Sequence, residues 1–371
     1  MTKIAIIYNK NKEHIEKLIE YDPVILFQNL NDLKELEGYN LTKRNIKYDT
    51  NCYDIAISTD DESIRRIKAI KKVVIGQQGK NKRINYLNKF DIEKILEPKK
   101  RIDYKFSIVI PNYNNAEWID KTIESVLNQT YQNWEMFIID DISTDNSIEV
   151  INRYQDERIT LIENKIKWYN GGSRNWGILK SKETNPEGYL LFIDSDDWLA
   201  DNRVLEDLNN FIEGEDLITL DYQHFMNNQI SPAGKCFYHN KDELFMTIGC
   251  ICAVWCKCFK VSVAPLFEFN TLMEDRNYHY RLINRIDTFI HFPRITHTWN
   301  KMNIKSVTTE KDQIYDSDIQ VPLSWDACSF RHIAGMTDLL KEIKNPIWQD
   351  FIKKRIDTCK RYIRNNEFYQ Y

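Results

Sequence analysis

Tyr189-Leu190-Leu191-Phe192-Ile193-Asp194-Ser195-Asp196-Asp197 passes from five apolar or aromatic residues to three carboxylates within four positions. The apolar half reads as a buried strand. Acidic side chains at its C-terminal end repel one another unless a hard divalent cation sits among them. Carboxylate oxygens suit Mg2+ or Mn2+, which keep several waters and bind phosphates through their remaining positions. An Asp-rich turn capping a helix that begins near Asp197 or Leu199 is the alternative on spacing alone.

Two earlier stretches repeat the pattern. Ser107-Ile108-Val109-Ile110-Pro111-Asn112-Tyr113-Asn114-Asn115 reads as a β-branched strand stopped by proline and a polar turn, with a helix over 116–128. Trp134-Glu135-Met136-Phe137-Ile138-Ile139 reads as a second strand ending in Asp140-Asp141, after which Ser143-Thr144-Asp145-Asn146-Ser147 supplies caps for a helix reaching residue 154. Parallel strands deliver their C-terminal loops to one edge, where open α/β sheets bind ligands. Asn112, Tyr113, Asp140, Asp141 and the Asp194 cluster are therefore expected to line one pocket.

The order of these motifs resembles the inverting family 2 glycosyltransferases with the A-type nucleotide-sugar fold. Pro111 to Asn114 is similar to the family's Pro-x-Tyr-Asn, Ser125 to Thr130 to Ser-Val-Leu-x-Gln-Thr, and Asp141 to Asp145 to Asp-x-Ser-Thr-Asp. Gly171-Gly172-Ser173-Arg174-Asn175-Trp176-Gly177 approximates Gly-x-x-x-Ala-Arg-Asn-x-Gly, with Ser173 in place of Ala, and Asp194 to Asp197 and Glu274-Asp275 complete the series. The resemblance covers roughly residues 104–310 and implies a Rossmann-like mixed sheet. It also implies roles. Asp141, with Asp140, contacts the base and ribose of the donor beside Pro111, Asn112 and Tyr113, and Arg174 sits near the base. Ser195 belongs to the donor site, and Asp194 and Asp196 hold Mn2+ or Mg2+ against the diphosphate. Asp275 is the catalytic base, with Glu274 and Trp255 on the acceptor side.

The chemistry asks for these residue types. A nucleoside diphosphate leaves poorly until a divalent cation neutralises its developing charge, and one carboxylate must take the acceptor hydroxyl's proton. A single displacement inverts the anomeric carbon without a covalent intermediate. The implied donor is a nucleotide sugar, UDP-sugar first among them, and the implied acceptor is a glycan or other hydroxyl in glycan or polysaccharide synthesis.

Local alternatives stand beside each role. Asp145 with Thr144 reads as a cap for the following helix, and Asp140 as a turn residue. Glu274-Asp275 opens a helix expected over 276–283, where acids favour the N-terminus. Gly171-Gly172 fits neither a P-loop nor a dinucleotide fingerprint and reads as a flexible turn. Cys250, Cys252, Cys256 and Cys258 share one face of a strand that would spread them over about 26 Å, so a buried strand face is favoured over zinc. In Thr296-His297-Thr298-Trp299-Asn300, which resembles the family's closing loop, His297 is a candidate to complete the metal shell and Trp299 to stack on an acceptor sugar. A structural histidine and a packed aromatic are the alternatives.

At 371 residues the chain has room for two or three domains. A small parallel α/β domain is expected over 1–100, with strands at 3–8, 24–27, 54–58 and 72–75 and helices near 13–20, 31–36 and 62–70, followed by the catalytic domain over 104–310 and a helical extension over 311–371. The first apolar run is too short for a signal peptide and no run of about 18 apolar residues occurs. A cytoplasmic chain is expected, with peripheral membrane contact as the second alternative. Lys+Arg 51 nearly balances Asp+Glu 55, but 65–101 and the tail after residue 341 are basic. Solvated faces account for most such runs; contact with a membrane bearing a lipid-linked glycan or with a nucleic acid is the other reading. Transfer to a nucleic-acid base, a nucleotidyltransferase and a non-catalytic sugar-nucleotide binder remain as rival functions.

Overall fold

The computed structural model describes residues 4–8, 12–21, 23–27, 41–45, 52–58, 68–75, 84–87, 102–234, 238, 240–247, 253–268, 274–303, 315–316, 321–322 and 325–365. The helix expected at 31–36, Cys250 and Cys252 lie outside them. Two compact units emerge: residues 1–102 with 207–211 and 292–294, and the remainder.

The first unit is a parallel α/β sheet, as its alternating rhythm required. Its elements are β1 (Ile4–Ile7), α1 (Lys12–Leu18), β2 (Val24–Phe27), β3 (Lys43–Asn45), β4 (Cys52–Ser58), β5 (Lys68–Ile75) and β6 (Ile84–Leu87). The strand order is β3-β2-β1-β4-β5-β6, with every pairing parallel. Ile4, Ile6, Ile15, Leu18, Ile25, Ile57 and Val73 form the core. Residues 68–70, expected to close a helix, open β5 instead, because pairing with β4 overrides local propensity. The sequence reading also missed β3 and β6. Both are short edge strands, and polar residues such as those of Lys43-Arg44-Asn45 blunt an edge while erasing the apolar signal.

From residue 103 onward the elements are β7 (Phe106–Asn112), α2 (Ile119–Leu127), β8 (Trp134–Asp140), α3 (Ser147–Ile151), β9 (Ile159–Glu163), α4 (Tyr169–Thr184), β10 (Tyr189–Phe192), β11 (Trp198–Leu199), α5 (Val204–Phe211), β12 (Leu217–Met226) and β13 (Gln229–Gly234). Then come α6 (Lys241–Thr247), β14 (Lys257–Lys260), α7 (Glu274–Arg285), β15 (Phe289–Asn300), two short paired strands, α8 (Trp325–Glu342) and α9 (Pro346–Asn365). The sheet runs β11-β15-β12-β14-β10-β7-β8-β9. β10, β7, β8 and β9 are mutually parallel, so their C-terminal ends share one edge, while β14 pairs antiparallel with β10.

Three local expectations are corrected. Pro111 does not stop β7, which continues to Asn112. β10 registers with β7 only as far as Val109, so beyond that point a missing N–H costs no ladder bond on that side. Gly171 and Gly172 are not a flexible turn but the buried first turn of α4. A side chain at 172 would come within 2.8 Å of Trp168 Cβ, so the glycine permits close approach rather than motion. Cys256 lies in a 3-10 turn (Val254–Cys256) and Cys258 in β14; both are buried, but no continuous strand spans them.

The C-terminal helices join the same core as the sheet: Ile333, Met336, Leu339, Trp348, Ile352 and Ile356 cluster with Phe245, Phe259 and Tyr278. Trp348 stacks on Phe245 at 4.2 Å and donates its indole N–H to Asp242 Oδ1 at 2.7 Å.

Gly177 sets how closely α4 lies on β7. A Cβ there would fall 2.2 Å from Val109 Cγ1. Gly177→Ala is expected to destabilise by about 1–3 kcal/mol, overpacking outweighing the gain in helix propensity. Val109→Ala in the same chain should recover part of the loss in urea denaturation; additive losses would show that the two sites do not touch.

Candidate functional site

The shared edge of the parallel strands collects most of the sequence-derived residues. β7 ends in Asn112, β8 in Asp140 followed by Asp141, and β10 leads through Ile193 into Asp194. Asp140 is buried and closes a turn, its carboxylate accepting from Asn112 Nδ2 at 2.8 Å and Ser143 N at 2.9 Å. Asp145 accepts from Ser147 N at 2.9 Å at the start of α3 and from Ala116 N at 3.0 Å, tying two loops together.

Asp141 does something the sequence did not announce. Its carboxylate accepts from Trp168 N and Tyr169 N at 2.7 Å each and from Asn164 Nδ2 at 2.8 Å. The first two N–H groups stand at the start of α4, where a helix has unsatisfied donors and a positive end. Asp141 is thus a cap delivered from a neighbouring strand. The adjoining Lys167 ammonium lies 2.7 Å from the centroid of the half-exposed Tyr113 ring and 3.3 Å from the Asp141 carbonyl oxygen. Asn112 Oδ1, buried on this edge, has no hydrogen-bond partner among the described residues.

Across the edge, Arg174 joins two acids far apart in sequence. Buried at 2% exposure, it donates from Nη2 to Asp194 Oδ1 at 2.7 Å and from Nη1 to Asp275 Oδ1 at 3.1 Å. Its guanidinium lies over Phe192 and Phe267, 5.9 and 5.5 Å from the centroids. Phe267 stacks on Tyr278 at 3.9 Å, which seats the start of α7, and with it Asp275, beside the end of β10. Arg174, expected near the nucleobase, is thereby a bridge between Asp194 and Asp275. Burial lifts the Asp275 pKa, Arg174 pulls it down, Asp194 adds to the lift and buried Lys257 opposes it. A carboxylate displaced upward in this way is suited to proton abstraction near neutral pH. Glu274 begins the same helix.

The three acids after β10 differ in surroundings. Asp194 and Asp196 are half-buried; Asp197 is buried. Asp196 accepts from Asn303 Nδ2 at 2.8 Å, and Asn303 also donates to Asn115 Oδ1 at 3.1 Å, whose Nδ2 donates to Ser195 Oγ at 2.7 Å. Burial first, then Asp197 and Asp194, push Asp196 up to about 7, the Asn303 bond working against them. Asp197 accepts from His297 Nε2 and Asn300 N, each at 2.8 Å. Burial pushes His297 down to about 4 and Asp197 well up. The imidazole is then uncharged and shares a single hydrogen bond with the Asp197 carboxyl.

His297 therefore does not take the expected metal-ligand place, since its Nε2 is committed to Asp197 and its ring lies parallel to Trp255 at 4.3 Å. Trp255 is likewise buried in that stack, at 6% exposure, rather than open to an acceptor. Trp299 is half-buried against Trp255 and Tyr222, with the Lys301 ammonium 4.5 Å over its ring. Sequence reasoning passed over Asn115, Asn303, Asp197 as an acceptor and Lys257. Asn115 and Asn303 lie 188 positions apart, and an asparagine carries no chemical signature by itself.

Among the described residues no three His, Cys, Asp or Glu side chains form a metal cage. The donor set still fits a hard cation, because two half-open carboxylates, one pushed up by burial and then by its acidic neighbours, make a mount that phosphates and waters complete.

Residues 107–242 match the family model described as Glycosyl transferase family 2. The chain carries a family 2 glycosyltransferase domain. An uncharacterized glycosyltransferase of Haemophilus influenzae is 36% identical over 115 residues, covering 30% of this chain and 44% of that protein. The UDP-Glc:alpha-D-GlcNAc-diphosphoundecaprenol beta-1,3-glucosyltransferase WfgD of Escherichia coli is 38% identical over 99 residues, covering 26% and 38%. The chain thus spans less than half of the length of these two curated relatives. A crystal structure of S. aureus TarS 1-349 in complex with UDP-GlcNAc superposes with a TM-score of 0.52 at 17% identity, over 65% of this chain and 67% of that one. At that identity the likeness is one of fold alone. No helix among the described residues is long and apolar enough to cross a membrane.

In the folded chain Asp196 holds its proton up to about pH 7, whereas an unfolded aspartate loses it near 4. Folding takes up a proton between those values, so stability falls as pH rises across that window. Asp196→Asn removes this cost. In chelator at pH 8 the variant is expected to be more stable than the parent by about 1–3 kcal/mol, the gap closing toward pH 5. Denaturant titration at both pH values checks it, and equal stability at pH 8 would refute the crowding of charge at Asp196.

Proposed function

We propose that the chain is a metal-dependent inverting glycosyltransferase that moves a sugar from a nucleotide sugar, first of all a UDP-sugar, to an acceptor hydroxyl in glycan synthesis. The observation that carries this reading is the convergence of Asp194 and Asp275 on Arg174 at the C-terminal edge of the parallel strands. Two acids that share one guanidinium, one of them with its pKa displaced upward, support a donor-side acid beside a base. The curated relatives named for UDP-Glc and a diphosphoundecaprenol-linked GlcNAc support a UDP-sugar donor and a lipid-linked glycan as acceptor class.

The geometry supports the following roles. Tyr113, half-exposed and covered on one face by Lys167, has its other face for the base, and the orphaned Asn112 Oδ1 stands ready to accept from a base N–H or a ribose hydroxyl. Asp194 and Asp196 would hold Mn2+ or Mg2+, which supplies charge neutralisation to the departing diphosphate. Arg174 orients Asp194 and Asp275 relative to each other. Asp275 takes the acceptor hydroxyl's proton, and its raised pKa brings its basicity closer to the task.

Nucleotide release from a panel of UDP-, GDP- and dTDP-sugars tests the reading and names the donor; no release from any of them in Mn2+, with a lipid-linked acceptor present, would overturn it. Chelator should abolish turnover. Asp275→Asn is expected to lower kcat about 10²–10⁴-fold with little change in nucleotide affinity by calorimetry, whereas weakened binding with unchanged kcat would move Asp275 to the donor site.

A further inference from the structure

We propose that His297 and Asp197 are positioning residues: the buried hydrogen bond between them sets the turn that presents Asp194 and Asp196 to the cation. This rests on the metal-dependent reading above.

The turn is held from two sides. On one side, Thr122 Oγ1 lies 2.9 Å from the Ser195 carbonyl oxygen and 2.7 Å from that of Asp197, while Asp197 N donates to Asp194 O at 2.9 Å. These bonds fix the backbone. On the other side, the Asp197 carboxylate receives His297 Nε2 and Asn300 N at 2.8 Å each, both from the end of β15. His297 is 2% exposed and Asp197 1%. The ring cannot swing, because Trp255 lies parallel to it at 4.3 Å with an interplanar angle of 5°. β11 and β15 are in register here, Leu199 opposite His297 and Trp198 opposite Thr298, so the strand following the acidic turn and the strand carrying the histidine move as one piece.

The consequence for the neighbours is geometric. With the third acid turned inward and anchored, Asp194 and Asp196 remain half-open at the cleft. The same stretch that supplies His297 and Asn300 ends at Asn303, which meets Asp196 directly. Loss of the imidazole donor leaves Asp197 with one fewer hydrogen bond in a site without water access. The turn must then relax toward solvent, carrying Asp196 away from Asp194. Partners that orient ligating carboxylates typically matter by 10–100-fold in metal affinity.

The test is Mn2+ titration by electron paramagnetic resonance in the presence of UDP, alongside UDP calorimetry in chelator, on the full chain and three variants. The wild-type titration stands apart as the check on metal dependence: no Mn2+ taken up with UDP would overturn the metal reading and this inference with it. Given wild-type binding, His297→Phe keeps a flat ring on Trp255 but no donor, and is expected to weaken Mn2+ binding at least tenfold while UDP affinity in chelator stays within about twofold. His297→Gln, which restores an N–H donor, should recover most of the loss. Asp197→Asn, isosteric with the parent, gives the same answer from the other partner and serves if the phenylalanine variant does not fold. Mn2+ affinity unchanged in both His297→Phe and Asp197→Asn would overturn the proposal, as would an equal fall of metal and metal-free UDP binding, the mark of general loosening.

Discussion

A guanidinium withdrawn from water must find carboxylates, and at Arg174 that requirement organises the cleft. Its two partners come from the end of β10 and the start of α7, 101 residues apart for the farther one. Removing either acid leaves a buried cation short of a partner, a loss of about 3–5 kcal/mol for such pairs. α4, which carries Arg174, lies close on β7. Gly177 allows that approach, and the small residues Gly171, Gly172, Ser173 and Ser181 are buried along the same helix. Phe192, Phe267 and Tyr278 then supply the apolar floor over which the guanidinium lies and against which α7 is seated.

Around this bridge the molecule carries more negative charge and more backbone strain than folding alone would favour. Asp196 and Asp197 are both pushed up by burial and by acidic neighbours. Asn114, Ile142 and Tyr169 have φ values of 51°, 64° and 57°, in the left-handed region. For β-branched Ile142 this is an unusual conformation, of order 1–3 kcal/mol. All three flank the bonds made by Asp140, Asp141 and their loops: Asn114 Oδ1 accepts from Thr144 N at 2.7 Å, Ile142 follows Asp141, and Tyr169 N donates to it. Such concentrations of strain and unfavourable charge occur where surrounding contacts over-determine the geometry, and they mark ligand-binding edges more often than neutral surface.

The first unit shows how far topology reaches without chemistry. Its strand order is one that doubly wound nucleotide-binding sheets share, yet Tyr8-Asn9-Lys10-Asn11 after β1 contains no glycine to bring backbone against a phosphate. Fold by itself assigns no activity.

Much was legible in the amino-acid order alone. Period-two and continuous apolar runs determined β1, β2, β7, β8 and β10 and their parallel sense, because strands buried on both faces leave a strong local signature. The acids at the strand ends pointed to one shared edge, where Asp140, Asp141 and Asp197 are held in turn, cap and backbone bonds. Tertiary structure decided the rest. Whether Asp141 meets a ligand or caps α4 depends on where α4 begins in space. Whether His297 faces a cation or Asp197 depends on the register of β15 against β11. That Arg174 meets Asp194 and Asp275 depends on where α4 and α7 come together at the end of β10. Each of these is a contact between residues tens to more than a hundred positions apart, whereas periodicity and capping chemistry act over a few residues only.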